Sequence, residues 1–166
     1  MNAVVKKCHW GIEPSLGNVP FQDIAGIWLN WKALQSKHSR KPRKVPYQPD
    51  HPNRPAKVNN VSHCSDFAAA RLAYDINGDV EGIGINLYAL DLDEHPVTAL
   101  DLDNCLDPET GKPETWAAEI VDACKTYAEV SPSGRGVRLF YHGVFEGGSF
   151  TKGSLECYIS GTRRYV

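Results

Sequence analysis

No stretch of this sequence stays apolar for the roughly 18 residues that a bilayer-spanning helix needs, so no membrane partner is expected. Lys6 and Lys7 near the start have no long apolar segment behind them, which argues against a secretory signal. Cys-x-x-Cys pairs are absent. The five cysteines (Cys8, Cys64, Cys105, Cys124, Cys157) are odd in number and scattered, which fits a reduced, cytoplasmic compartment better than a disulfide framework. No Gly-x-x-x-x-Gly-Lys-Ser/Thr stretch occurs, so a P-loop motor is excluded. Repeats, low-complexity tracts and a domain linker are missing too. What remains is ordinary for a globular protein, 42% hydrophobic and 23% charged over 166 residues. That length suffices for one domain with a real core but not comfortably for two.

The net charge of −2 hides a split. Between Lys32 and Lys57 stand eight basic residues against one acid, Asp50; between Asp75 and Asp122 stand thirteen acids against one base, Lys112. Such asymmetry suits a basic surface for polyanions beside an acidic, metal-binding one, or simply a solvated basic loop.

In chain order, residues 1–20 carry Gly11, Pro14, Gly17 and Pro20 and read as an irregular lead-in. Ile27 to Lys32 reads as a strand with two tryptophans, Trp28 and Trp31. A basic, proline-rich loop from Ser36 leads to Lys44-Val45-Pro46-Tyr47, expected as a short edge strand because of its proline. Residues 48–60 read as an exposed loop. Ser65 is the expected N-cap of a helix over 66–74. Gly82 to Tyr88 alternates as a strand whose glycines leave room for a ligand or backbone. Asp91-Leu92-Asp93-Glu94-His95-Pro96 reads as a loop. Further on come a helix over 114–127 with Trp116, Ile120, Val121 and Cys124 on one stripe, and strands over 128–131, 136–142 and 154–159.

The chemistry concentrates after residue 97. Val97-Thr98-Ala99-Leu100-Asp101-Leu102-Asp103-Asn104 is an apolar run holding two aspartates one residue apart. On a strand, alternation puts Asp101 and Asp103 on one face and Leu100 and Leu102 on the other. Two adjacent carboxylates repel, and a divalent cation such as Mg²⁺ or Mn²⁺ relieves that; the alternative is a strand end with two solvated acids. Ser131-Pro132-Ser133-Gly134-Arg135-Gly136-Val137-Arg138 offers backbone N–H groups and arginines to an anion, or is a plain hairpin turn. In Ser154-Leu155-Glu156-Cys157-Tyr158, Glu156 lies opposite the apolar set and either is solvated or completes a carboxylate triad. Cys8-His9 and His63-Cys64 formally make a zinc set, but adjacent Cys-His pairs chelate poorly and no zinc site is expected.

This order resembles the archaeo-eukaryotic primase–polymerase superfamily, in particular the compact primase-polymerase domains of phages, plasmids and prophages. The matching stretches are Gly82-Ile83-Gly84-Ile85, Val97 to Asn104 with Asp107-Pro108-Glu109-Thr110-Gly111, Glu129 to Gly136, and Leu155-Glu156-Cys157-Tyr158 with Arg164-Tyr165. Trp28-Leu29-Asn30-Trp31 and Lys44-Val45-Pro46-Tyr47 resemble the lead-in, so the likeness covers about residues 24–166 of a single 1–166 domain. It implies an α+β fold, a mainly antiparallel sheet with helices packed on one face around an RRM-like primase-polymerase core. It also implies that Asp101, Asp103 and Glu156 are catalytic and hold two Mg²⁺ or Mn²⁺ ions. Ser133, Gly134 and Arg138 would then bind the triphosphate of an NTP or dNTP, with Lys44 and Arg164 on phosphate or template. The implied activity is DNA primase and DNA polymerase chemistry on a single-stranded DNA template, in phage or plasmid replication.

Two departures stand out. The family most often has histidine where Arg138 stands, and arginine is a permanent cation that does not titrate near neutrality. The family pattern also continues past Val166, often into a helicase, so the expectation is an excised domain, a truncated gene product or a minimal stand-alone relative, with a separate helicase as a candidate partner. Two other readings stay open: a non-catalytic nucleic-acid or nucleotide-binding module on the same scaffold, and a metal-dependent nuclease. The nuclease leaves the Ser-Gly-Arg-Gly loop unexplained.

Overall fold

The computed structural model describes residues 19–35 and 42–166; most of the lead-in and the start of the basic loop lie outside them. The described chain is α+β with antiparallel strands, as expected, but its strands form two sheets where one was expected. Its described residues divide into two compact units, Phe21–Glu94 with Ser160–Val166, and the stretch His95–Ile159.

The first unit holds β1 (Trp28–Leu34), β2 (Arg43–Gln48), β3 (His51–Pro55), α1 (Phe67–Ile76) and β4 (Gly82–Ile85), with sheet order β3-β2-β1-β4. Alternation along β1 sends Trp28 and Asn30 to the helix. Trp28 packs edge-on against Phe67 at 4.8 Å, and Asn30 Nδ2 donates to the Ala70 carbonyl at 2.9 Å. Trp28 is therefore core, 2% exposed. Lys32 is buried too, its Nζ 2.6 Å from Asp79 and 4.6 Å from the Tyr47 ring centroid.

Several expectations shift for physical reasons. The cap of α1 is Asp66, whose carboxylate accepts the Ala69 N–H at 2.7 Å, because the Ser65 backbone is spent on a bridge to Trp28. β2 is interior rather than edge. Opposite Pro46, the Trp31 carbonyl is taken by the Glu81 N–H on the other side, so that pair asks nothing of the proline nitrogen. The true edge is β3, read as loop because His51-Pro52-Asn53-Arg54-Pro55 carries two prolines, which an edge strand tolerates. β4 stops at Ile85, and Val166 then covers it through a reciprocal backbone pair with Ile85 of 2.8 and 2.9 Å. The glycines of β4 make room as expected, for protein: a Cβ on Gly84 would sit 2.6 Å from the Val166 carbonyl, and one on Gly82 would strike the Trp31 ring. The Asp91 copy of the motif is a turn, its Oδ1 accepting the N–H groups of Asp93 and Glu94.

The second unit holds β5 (Val97–Leu102), α2 (Thr115–Cys124), β6 (Tyr127–Val130), β7 (Val137–His142), β8 (Phe150–Lys152) and β9 (Leu155–Ile159), with order β6-β7-β5-β9-β8. Helix α2 ends three residues before expected, because Lys125 turns the chain at φ 45° and frees Tyr127 to open β6. Ala117 and Val121 of α2 share a core with Leu102, Ala128, Val137 and Leu139, and Leu100, Trp116, Ile120, Val130 and Leu155 pack against it. Each fully buried leucine or valine there contributes about 1.5–3 kcal/mol. Because strands alternate, committing those positions to the helix side dedicates the intervening ones to the opposite face.

Candidate functional site

That opposite face carries the charges. β5 is the central strand, flanked by β7 and β9, and the register sets Asp101 directly across from Arg138 on one side and from Glu156 on the other. Arg138 in turn lies across from Glu129 of β6. One row across four strands thus reads Glu129, Arg138, Asp101, Glu156, and directly opposed residues in antiparallel strands share a face. Asp101 and Glu156 are thus direct cross-strand neighbours.

Arg138 holds the row together. Its Nη2 lies 3.2 Å from Asp101 Oδ2 and its Nη1 lies 3.7 Å from Glu129 Oε1. The side chains of Arg138 and Asp101 are only 11% and 18% exposed. Glu129 is further oriented by the Tyr127 hydroxyl, which donates to Oε2 at 2.9 Å, and Glu156 accepts a hydrogen bond from the Tyr158 hydroxyl. Two buried atoms in the row have no hydrogen-bond partner, Asp101 Oδ1 and Arg138 Nε. A buried carboxylate oxygen without a donor is costly unless a cation or water meets it.

Asp103 stands apart from this row. β5 ends at Leu102, so Asp103 opens a turn rather than continuing the strand as expected. Its N–H still reaches the Ser154 carbonyl at 2.7 Å, and Asn104 at φ 51° then swings the chain away. Its side chain is exposed at the end of the sheet where Asp101 lies. Among the described residues no group of three or more His, Cys, Asp and Glu is gathered closely enough to hold a metal ion. The oxygen donors of Asp101 and Glu156, adjacent across two strands with one orphaned acceptor, still suit a hard divalent cation in kind and placement.

The Ser131–Gly136 segment is the hairpin loop between β6 and β7, at that same end of the sheet. Ser133 is exposed and its hydroxyl lies 2.9 Å from that of Ser131; the Gly134 N–H donates to the Ser131 carbonyl at 2.8 Å. The loop is anchored to the turn after Asp103, since the Leu106 N–H donates to the Arg135 carbonyl at 3.1 Å. Asp101, Glu156, Arg138, Ser133 and Gly134 thus belong to one sheet and its end loops. Lys44 and Arg164 belong to the other unit: Lys44 Nζ sits 5.4 Å from the Trp31 ring centroid, and the Arg164 carbonyl accepts the Leu87 N–H.

Glu129, Tyr127 and Tyr158 are site residues that the motif reading did not assign. The available signal was spacing: Tyr127 and Glu129, like Glu156 and Tyr158, are two apart on a strand and share a face. Of the formal zinc set, Cys8 and His9 lie outside the described residues. His63 is occupied by the Lys57 N–H at 2.9 Å and by Asn60, and burial pushes the Cys64 thiol up from its ordinary value.

No family model matches the sequence. A DNA primase-polymerase of Nitratiruptor phage NrS-1 is 28% identical over 147 residues, which is 84% of this chain and 18% of that relative. The chain therefore spans less than a fifth of the relative's length. This similarity supports a distant relationship between the chain and a phage primase-polymerase.

Proposed function

We propose that this chain is a primase-polymerase domain of the archaeo-eukaryotic superfamily, catalysing metal-dependent nucleotidyl transfer from an NTP or dNTP onto a strand directed by a single-stranded DNA template. Phage or plasmid replication is the natural setting. The observation that carries the reading is the register that opposes Asp101 to Glu156 beside a small-residue hairpin loop, in a chain similar to a phage primase-polymerase.

Asp101 and Glu156, joined by Asp103 from the turn, would hold Mg²⁺ or Mn²⁺. When bound, two such ions neutralise triphosphate charge and activate a 3′-hydroxyl. The chain's own part is placement. The Ser131–Gly136 loop offers the exposed Ser133 to phosphate oxygens, and the core beneath keeps strand and loop in fixed register. Lys44 and half-buried Trp31 offer a cation and a stacking surface to a template strand, while Arg164 supplies another positive charge.

The test is primer extension with Mn²⁺ on a templated oligonucleotide. Asp101→Ala and Glu156→Gln are expected to reduce incorporation by at least about a hundredfold, the scale of losing one electrostatic contact to a transition state. Wild-type rates in both variants would remove the assignment.

The ion pair between Arg138 and Asp101 favours a second reading, a nucleotide- or nucleic-acid-binding module without catalysis, because one acid is already neutralised. Single-strand binding that persists in EDTA with no incorporation would select it.

A further inference from the structure

Arg138 sits where a metal's charge would be felt. Its guanidinium spans Asp101 and Glu129 from a strand between them, it is nearly buried, and it leaves Asp101 Oδ1 and its own Nε unpartnered. A cation bound at Asp101 would meet this fixed positive charge at close range, in surroundings that screen it weakly. Glu129 offers the guanidinium a second seat, held ready by the Tyr127 hydroxyl. We infer that Arg138 is a resident counter-ion that competes with divalent cations for Asp101, and that ion binding requires the guanidinium to shift its weight from Asp101 to Glu129. The inference rests on the ion site proposed above.

In this arrangement the fold keeps its acids compensated before any ion arrives and gives up some ion affinity in return. Glu129 becomes a positioning residue for ion binding although it need not touch the ion.

The experiment is Mn²⁺ titration of the purified chain, followed by electron paramagnetic resonance of the free ion, with melting curves at each ion concentration. Arg138→Gln is expected to bind Mn²⁺ about tenfold more tightly than wild type, and to gain more melting temperature from the ion. Asp101→Asn is expected to abolish the site, and Glu129→Gln to weaken it, because Arg138 then leans on Asp101 alone. If Arg138→Gln binds equally or less tightly while Asp101→Asn still abolishes binding, the counter-ion role is overturned and the ion site stands. If neither wild type nor Arg138→Gln binds Mn²⁺, the ion site falls and the inference with it. Should Arg138→Gln fail to fold, Glu129→Gln decides: weaker binding supports the competition, and unchanged or tighter binding overturns it.

Discussion

Asp79 shows how one side chain sets an acid limit to stability. The hydrogen bond from Lys32 Nζ holds its carboxyl below the usual carboxylate range. A depressed folded value means that Asp79 contributes stability above its unfolded pKa of about 3.9, and that the contribution is lost as pH falls through the lower, folded value. Asp79→Asn is therefore expected to lower the urea midpoint at pH 6–7, where it leaves buried Lys32 without its carboxylate. The gap to wild type should begin to narrow as pH falls below about 4 and close only below the depressed folded value, where Asp79 too is neutral. Urea melts across that range measure it. At this scale the sequence offered candidate residues but not their pairing. Asp101, Glu156 and Arg138 were each legible from motif and alternation. That Arg138 faces Asp101 depends on the register of β5 against β7, which side-chain periodicity within a strand does not carry.

Among the elements, the turn at Gly136 is tightly constrained. A Cβ there would lie 2.6 Å from the Leu102 carbonyl and 3.2 Å from Ser131 Oγ, so β5 and the hairpin loop touch at a point with no spare volume. Gly136→Ala is expected to cost about 1–3 kcal/mol as overpacking, read from denaturant melts. It is also expected to weaken NTP binding by displacing the Ser131–Gly134 turn, read by fluorescence titration. The elements that the sequence disclosed are those with an apolar face: β1, β4, β5, β6, β7, β9 and both helices. β3 and β8 escaped because they are short edge strands of polar residues, specified by their partners and not by their own composition. β2 was found but taken for an edge, since a proline is excluded only where its nitrogen faces a partner.

For the whole molecule, membership of two sheets was beyond the sequence, because it is settled by pairings between distant strands that leave no local pattern. Residues 160–166 show this best. Ser160–Val166 belongs with Phe21–Glu94 and follows directly on β9 of the other unit. Deleting 160–166 is expected to expose the Ile85 and Leu87 amides, whose acceptors are the carbonyls of Val166 and Arg164. Hydrogen exchange should show protection lost at those amides while β5, β7 and β9 keep theirs. Uniform loss across both sheets would contradict the division. The same ordering has a consequence during synthesis. On the ribosome, every strand of the acid-bearing sheet emerges before Val166, the partner of Ile85, so that sheet can complete itself while the earlier-made one waits, its edge unsealed until residues 160–166 leave the tunnel.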